Sequence, residues 1–156
     1  MRKRLIVETI PETTSEPGPW LDLENLASAE VTSENPDFPV ESVFGSGSGS
    51  GWKAAGTGEQ VLRLVFDQPQ AIHRIHLEFT EATVERTQEF VLEWAPNGGG
   101  LREIVRQQWN FSPDGAKGEV EDYHVDLSGV SVLQLTIKPD ISHGRALASL
   151  SKWRVA

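Results

Sequence analysis

The sequence predicts an all-β protein, an antiparallel β-sandwich of jelly-roll type. From residue 59 onward, apolar and polar residues alternate, which is the period of strands with one buried face. Turn signals rich in Gly, Pro, Asn and Asp separate the alternating runs. No stretch after residue 20 keeps a helical period, and strands that follow one another without helices between them favour antiparallel sheets.

Each predicted strand is justified by the residues that share its apolar phase. A further strand with mixed faces is predicted over Leu101–Phe111. In Ala146–Val155 the apolar phase slips, which predicts a β-bulge. Phe38–Phe44 is the segment expected to form a short helical turn. The inward residues of the regular strands are Leu62, Leu64 and Phe66; Ile75, Leu77 and Phe79; Phe90, Leu92 and Trp94; Tyr123, Val125 and Leu127; and Leu133, Leu135 and Ile137.

The length of 156 residues suits one domain, predicted over residues 21–156. An N-terminal arm, residues 1–20, precedes it and contains a candidate edge strand at Leu5–Ile10. The Gly-Ser stretch GSGSGSGW ends at Trp52, and a domain boundary there would leave too short an N-terminal piece to hold a core. We therefore expect a loop at one end of the sandwich, and both a lid and a spacer remain open as its role.

Composition narrows the classes of function. The formal net charge of −9 disfavours binding to nucleic acid. The chain has no cysteine, no Gly-x-Ser-x-Gly and no His-Glu-x-x-His motif, so we expect neither an enzyme nor a bound cofactor or metal. The acidic pair Glu119 and Glu121 is expected on an exposed strand. The apolar run Leu5–Val7 is too short for a signal peptide or a membrane span, so the expected location is the cytoplasm.

Three stretches, in series, resemble the galactose-binding-like superfamily, which includes discoidin domains, coagulation-factor (F5/8) type C domains and family 32 carbohydrate-binding modules. The first is Trp52 with the strands that follow it, EQVLRLVFDQPQAIHRIHLEF. The second is RTQEFVLEWAPNGGGLREIVRQQW, similar to a family hairpin with a Gly-rich turn. The third is RALASLSKWRV, similar to the closing strand. Together they span most of residues 24–156.

This resemblance implies a non-catalytic recognition module that binds carbohydrate through loops at one end of the sandwich. Many discoidin-type domains hold calcium through an Asp-rich turn and a Glu in the final strand. Here the turn is Gly45–Gly51 and the final strand offers Ser151 and Lys152, so no calcium site is expected.

A narrower likeness concerns Gly51–Leu77, which begins GWKAAGTGE and is similar to part of the N-terminal domain of the vertebrate single-strand-break repair scaffold. It implies the same sandwich fold. It also supports the alternative function, a protein-interaction or scaffold module that uses a sandwich face. The oligomeric state is left open by the sequence.

The candidate ligand-binding residues follow from the resemblance and from the chemistry of sugars, which need an aromatic face and hydroxyl-binding polar groups. For Arg86 the alternative is a surface ion pair with Glu85 or Glu89, for Trp52 a place in the core, and for Asn35 and Glu41 ordinary turn chemistry. The candidates are Arg86, His143, Arg145, Asn35, Glu41, Phe38 and Trp52.

Overall fold

Eight strands and two short helical segments make up the ordered elements of the described residues, which are 20–45, 50–112, 114–142 and 144–156 of a computed structural model. The helical segments are α1 (Leu23–Leu26) and a 3-10 turn at Val40–Val43, the latter inside the predicted helical turn. The strands are β1 (Ala27–Val31), β2 (Trp52–Thr57), β3 (Gln60–Thr80), β4 (Arg86–Pro96), β5 (Arg102–Phe111), β6 (Gly118–Lys138), β7 (Leu147–Leu150) and β8 (Lys152–Val155).

The long strands β3 and β6 build both layers of the sandwich. Their first ladder pairs residues 60–65 with 132–137, and their second pairs residues 72–80 with 118–127. Register shifts between Val65 and Arg74, around Pro69, separate the two ladders. On the first ladder β1 flanks β3, while β4 flanks β6 and β5 flanks β4; on the second, β8 flanks β3. All these pairings are antiparallel, which confirms the predicted fold class.

The core lies between the two ladders. Phe79, from the second ladder, stacks on Phe90 of β4 with ring centroids 5.2 Å apart, although these strands share no ladder. The inward residues predicted for β3 are buried, as are Phe90, Leu92 and the three predicted for the end of β6. Trp94, Tyr123, Val125 and Leu127 are partly buried and pack against this core. Alternation of the sequence therefore locates the core correctly.

A two-stranded sheet of β2 and β7 closes one side. The phase slip predicted near the C-terminus marks the place where the chain leaves this sheet. Ser151 interrupts the strand, its N–H donates to the carbonyl of Glu78 at 2.7 Å, and β8 continues alongside β3. The predicted bulge is thus a crossing between two sheets.

The N-terminal arm and its candidate strand at Leu5–Ile10 lie outside the described residues, except for Trp20. Leu21 donates its N–H to Val155 at 2.7 Å, so the described chain starts beside β8. Neither the arm nor the domain boundary predicted at residue 20 is tested by the fold. Within the described ranges, no helix has the length and apolarity needed to cross a bilayer.

Candidate functional site

A cleft of about 530 Å³ opens at the loop end of the sandwich, where β3 ends and β7 begins. One wall is the loop after β3, and the opposite wall is the sheet of β2 and β7 with Phe38. Its floor includes the buried Trp52. The lining residues are Phe38, Ser50, Trp52, Lys53, Thr80, Glu81, Ala82, Thr83, Val84, Arg145, Ala146, Leu147, Ser149, Leu150 and Ser151.

Phe38 and Lys53 meet on one wall. The Lys53 ammonium lies 4.3 Å from the centroid of the Phe38 ring, a cation–π contact. The backbone fixes this pair, because the Lys53 N–H donates to the carbonyl of Phe38 at 3.3 Å and the Asn35 N–H donates to the carbonyl of Lys53 at 2.9 Å. The ammonium therefore covers one face of the ring, and the cation lies beside the remaining aromatic surface.

Glu81 organises the loop on the opposite wall. Its Oε1 accepts from Nε of Arg86 at 2.8 Å, and its Oε2 accepts from the backbone N–H groups of Thr83 at 3.1 Å and Val84 at 3.2 Å. Burial raises the pKa of Glu81, but these donors outweigh it and hold the pKa below its ordinary value. Glu81 is thus ionised at neutral pH with both of its oxygens engaged.

Arg86 lies behind this wall, and its side chain has 0% exposure. Besides Glu81, its Nη1 donates to the carbonyl of Pro139 at 2.7 Å and to Gln88 at 3.2 Å, and the guanidinium stacks on Phe111 at 4.7 Å. The predicted alternative, an exposed pair with Glu85 or Glu89, is wrong because Arg86 takes the inward phase of β4. The guanidinium joins the loop to the core and has no exposed surface toward the cleft.

A buried polar chain continues from Arg86 into the sandwich. Gln88 donates to Glu119 at 3.3 Å, and Glu119 is 1% exposed. Burial and the neighbouring Glu121 carboxylate raise the pKa of Glu119 to about 8. The expectation that Glu119 is exposed is wrong, since β6 turns its residues 119, 121 and 123 inward and leaves Val120 65% exposed.

Trp52 and Asn35 have contacts that hold the framework of the cleft. Trp52 is 0% exposed and its Nε1 donates to the carbonyl of Ser33 at 3.0 Å. Asn35 accepts the N–H of Asp37 through Oδ1 at 2.9 Å, which shapes the loop that carries Phe38. Glu41 is exposed on the 3-10 turn and is absent from the cleft lining.

Arg145 is exposed and lines the cleft, whereas the neighbouring candidate His143 lies outside the described residues. Two exposed apolar side chains also border the cleft, Val84 and Leu147. The structure therefore brings together Phe38, Arg145 and Trp52 from the predicted set. In the described part of the chain, no group of three or more His, Cys, Asp or Glu residues is arranged to hold a metal ion.

Three important residues were missed by sequence reasoning: Lys53, Glu81 and Glu119. Lys53 follows the predicted Trp52 directly, and its exposed position on β2 follows from strand alternation. A usable signal for Glu81 is present in the sequence. An acidic residue at the end of a strand, two positions before Thr83, is typical of a side chain that caps a turn. Glu119 also had a signal, since it shares the alternation phase of the predicted inward residues Tyr123, Val125 and Leu127, but Val120 beside it suggested the opposite phase.

The fold matches several solved structures. No family model matches the chain, and no curated protein sequence matches it. The family 32 carbohydrate-binding module of NanJ from C. perfringens, solved with galactose, is 14% identical with a TM-score of 0.65, covering 87% of this chain and 96% of that one. A family 32 module produced by Clostridium perfringens, solved with GlcNAc-α-1,4-galactose, is 11% identical with a TM-score of 0.64, covering 92% and 99%.

A third structure is the family 32 module of AlyQ with 4,5-unsaturated mannuronic acid, 12% identical with a TM-score of 0.62, covering 85% of this chain and 95% of that one. The chain has the galactose-binding-like fold. The resemblance seen in the sequence is thereby confirmed at the level of fold. The likeness to the repair scaffold stays a prediction.

Proposed function

We propose that this chain is a non-catalytic carbohydrate-binding module and that the loop-end cleft is its sugar site. The observation that carries the proposal is the cleft itself, which combines the Phe38 ring with hydroxyls and the cations Lys53 and Arg145 at one end of the galactose-binding-like fold. Support comes from the structures of this fold described above, whose ligands are saccharides.

The chemistry of the lining suits a pyranose ring. A sugar has apolar C–H faces and a rim of hydroxyls, so its site needs apolar surface and hydrogen-bonding groups side by side. Phe38, Val84 and Leu147 supply apolar surface. Lys53 and Arg145 supply donors, and the hydroxyls of the lining serine and threonine residues both donate and accept.

The predicted residues take different roles in this proposal. Phe38 and Arg145 contact the sugar. Trp52, Asn35 and Arg86 hold the walls of the cleft, because their polar groups are engaged inside the protein. Glu41 lies outside the cleft lining and is not assigned a contact.

The protein-interaction module remains the second candidate, and one observation favours it. Five large apolar side chains of the described residues are exposed by 43% or more; two of them, Val84 and Leu147, line the cleft, and Ile141 lies in the loop that leads to Arg145. A partner protein that docks at the loop end would cover them. The other two, Leu101 and Val120, lie elsewhere on the sandwich.

Thermal unfolding with a panel of monosaccharides at about 100 mM, against sorbitol as the osmolyte control, tests the proposal. A site with a dissociation constant near 1 mM would add roughly 2.7 kcal/mol and raise Tm by about 5–10 °C. Phe38→Ala and Leu147→Ala are expected to abolish or reduce this rise. Leu101→Ala is the matched control, since Leu101 is 44% exposed and lies outside the cleft lining. If no sugar raises Tm beyond sorbitol, the protein-interaction candidate takes its place.

A further inference from the structure

The described lining of the cleft has more positive than negative side chains. Its lining contains one carboxylate, Glu81, and two cations, Lys53 and Arg145. Glu81 is already neutralised from behind by Arg86. The residues of the Gly-Ser stretch that lie outside the described ranges, 46–49, are serine and glycine, so they bring no carboxylate. The described lining of the cleft therefore has more positive than negative side chains, on a chain of net charge −9.

The two cations also differ from most others in having no acidic partner among the described residues. Five described Lys and Arg side chains form ion pairs with Asp or Glu, and they are Arg63, Arg74, Arg86, Arg106 and Lys138. Lys53 contacts only the Phe38 ring, and Arg145 is exposed. Asp140, the acid nearest to Arg145 in sequence, uses Oδ1 to accept the Ser142 N–H at 3.0 Å. An anion that enters the cleft thus meets two cations that have no acidic partner within the described ranges.

The position of Lys53 adds a second requirement. Its ammonium covers one face of the Phe38 ring, so a ligand that reaches the cation also lies beside the remaining aromatic surface. A small inorganic anion would use the cation alone. A sugar whose ring carries a carboxylate offers an apolar ring face and a negative charge a few bonds apart, and it satisfies both groups together.

We propose that the cleft selects acidic saccharides and that Lys53 and Arg145 determine this specificity by binding the carboxylate of a uronic acid. This inference rests on the proposed function. The inference goes beyond that function by naming the class of sugar and the residues that bind its charged group. A neutral hexose, which has a hydroxymethyl group in place of the carboxylate, fills the same cleft without using either charge.

Isothermal titration of the folded chain with matched pairs of sugars tests the inference, for example galacturonate against galactose and glucuronate against glucose. Each exposed charge pair is worth roughly a factor of two to five in affinity, so the uronate is expected to bind about fivefold or more tightly than its neutral partner. The preference is expected to shrink between about 20 mM and 500 mM NaCl, because salt screens exposed charges.

The variants Lys53→Met and Arg145→Met are expected to bring the ratio of uronate to neutral affinity toward one. Arg102→Met is the matched control, since it removes the same charge from the opposite end of the sandwich, where Arg102 lies 5.1 Å from the Trp94 ring. A thermal melt of each variant without sugar verifies that it is folded.

Three results would count against the inference, and they are distinguishable from one another. Equal or better binding of the neutral sugars would overturn the acidic specificity while leaving the carbohydrate function intact. An equal loss of preference in Arg102→Met would attribute the effect to the overall charge of the protein and remove the assigned roles of Lys53 and Arg145. Failure of every sugar, neutral and acidic, would overturn the proposed function and the inference with it.

Discussion

Two layers of polar side chains lie one behind the other at the loop end of the sandwich, and they differ in burial and in their hydrogen-bond partners. The inner layer, Arg86, Gln88 and Glu119, is buried and linked by hydrogen bonds. The outer layer, Lys53 and Arg145, is exposed and has no acidic partner among the described residues. Burial separates the two layers: the buried groups support the loop end, whereas the exposed groups are available to a ligand in the proposed site.

The largest difference is expected between Arg86→Ala and Arg145→Ala. Removing Arg86 leaves Glu81 without its cation and the Pro139 carbonyl without its donor, so the free energy of unfolding should fall by about 3–5 kcal/mol. Removing Arg145 should change it by less than about 0.5 kcal/mol. Urea denaturation of the two variants measures both values. Similar losses would mean that the two layers are not distinct.

The second difference concerns pH and involves Glu119 of the inner layer. Its pKa is raised to about 8 in the folded chain, so folding keeps a proton that the unfolded chain releases above its ordinary pKa. Its contribution to stability is complete below about pH 4.5 and is lost as pH rises through about 8. Glu119→Gln has no such loss, so between pH 5 and pH 9 the natural chain is expected to lose about 4 kcal/mol of stability relative to Glu119→Gln.

Denaturant unfolding from pH 5 to pH 9 provides that measurement. Glu59→Gln is the control, because Glu59 is exposed and should leave the pH profile unchanged. Parallel pH profiles for the natural chain and Glu119→Gln would show that Glu119 ionises freely in the folded state. Glu119 would then not belong to a buried polar layer.

The smallest of the three effects concerns Gly51, which joins the Gly-Ser stretch to β2. Gly51 has a φ of +84°, and a Cβ there would lie 2.7 Å from the carbonyl oxygen of Leu150. Gly51→Ala should cost about 2 kcal/mol, because both the backbone angle and the space require glycine. Gly56→Ala, at a position with open space, should be neutral or stabilising by up to about 1 kcal/mol. Equal melting temperatures for the two variants would contradict this account.

Much of the fold was predictable because alternation reports which residues face the core. Leu62, Leu64 and Phe66 illustrate this, as their apolar phase has no competing explanation. The end of the chain was harder. Its phase slip recorded a change of sheet at Ser151, and sequence alone does not distinguish a bulge from a crossing when the two strands find different partners.

The candidate site was less predictable than the fold, since the burial of polar groups depends on strands far apart in sequence. Arg86 is enclosed by Glu81 from the preceding loop, Phe111 from β5 and Pro139 after β6. No local sequence pattern predicts that the Arg86 side chain is enclosed in this way. Lys53 gains its role from Phe38, fifteen residues earlier, through a loop contact that alternation does not describe.

Saccharide binding in the loop-end cleft can be located by ¹H–¹⁵N NMR titration of the labelled chain with galactose and galacturonate at up to about 50 mM. We expect saturable shifts concentrated at Phe38, Lys53, residues 80–84 and residues 145–151, with larger shifts from galacturonate. Shifts spread over the outer face of β4 and β5, or no saturable shift with either sugar, would contradict binding in the cleft.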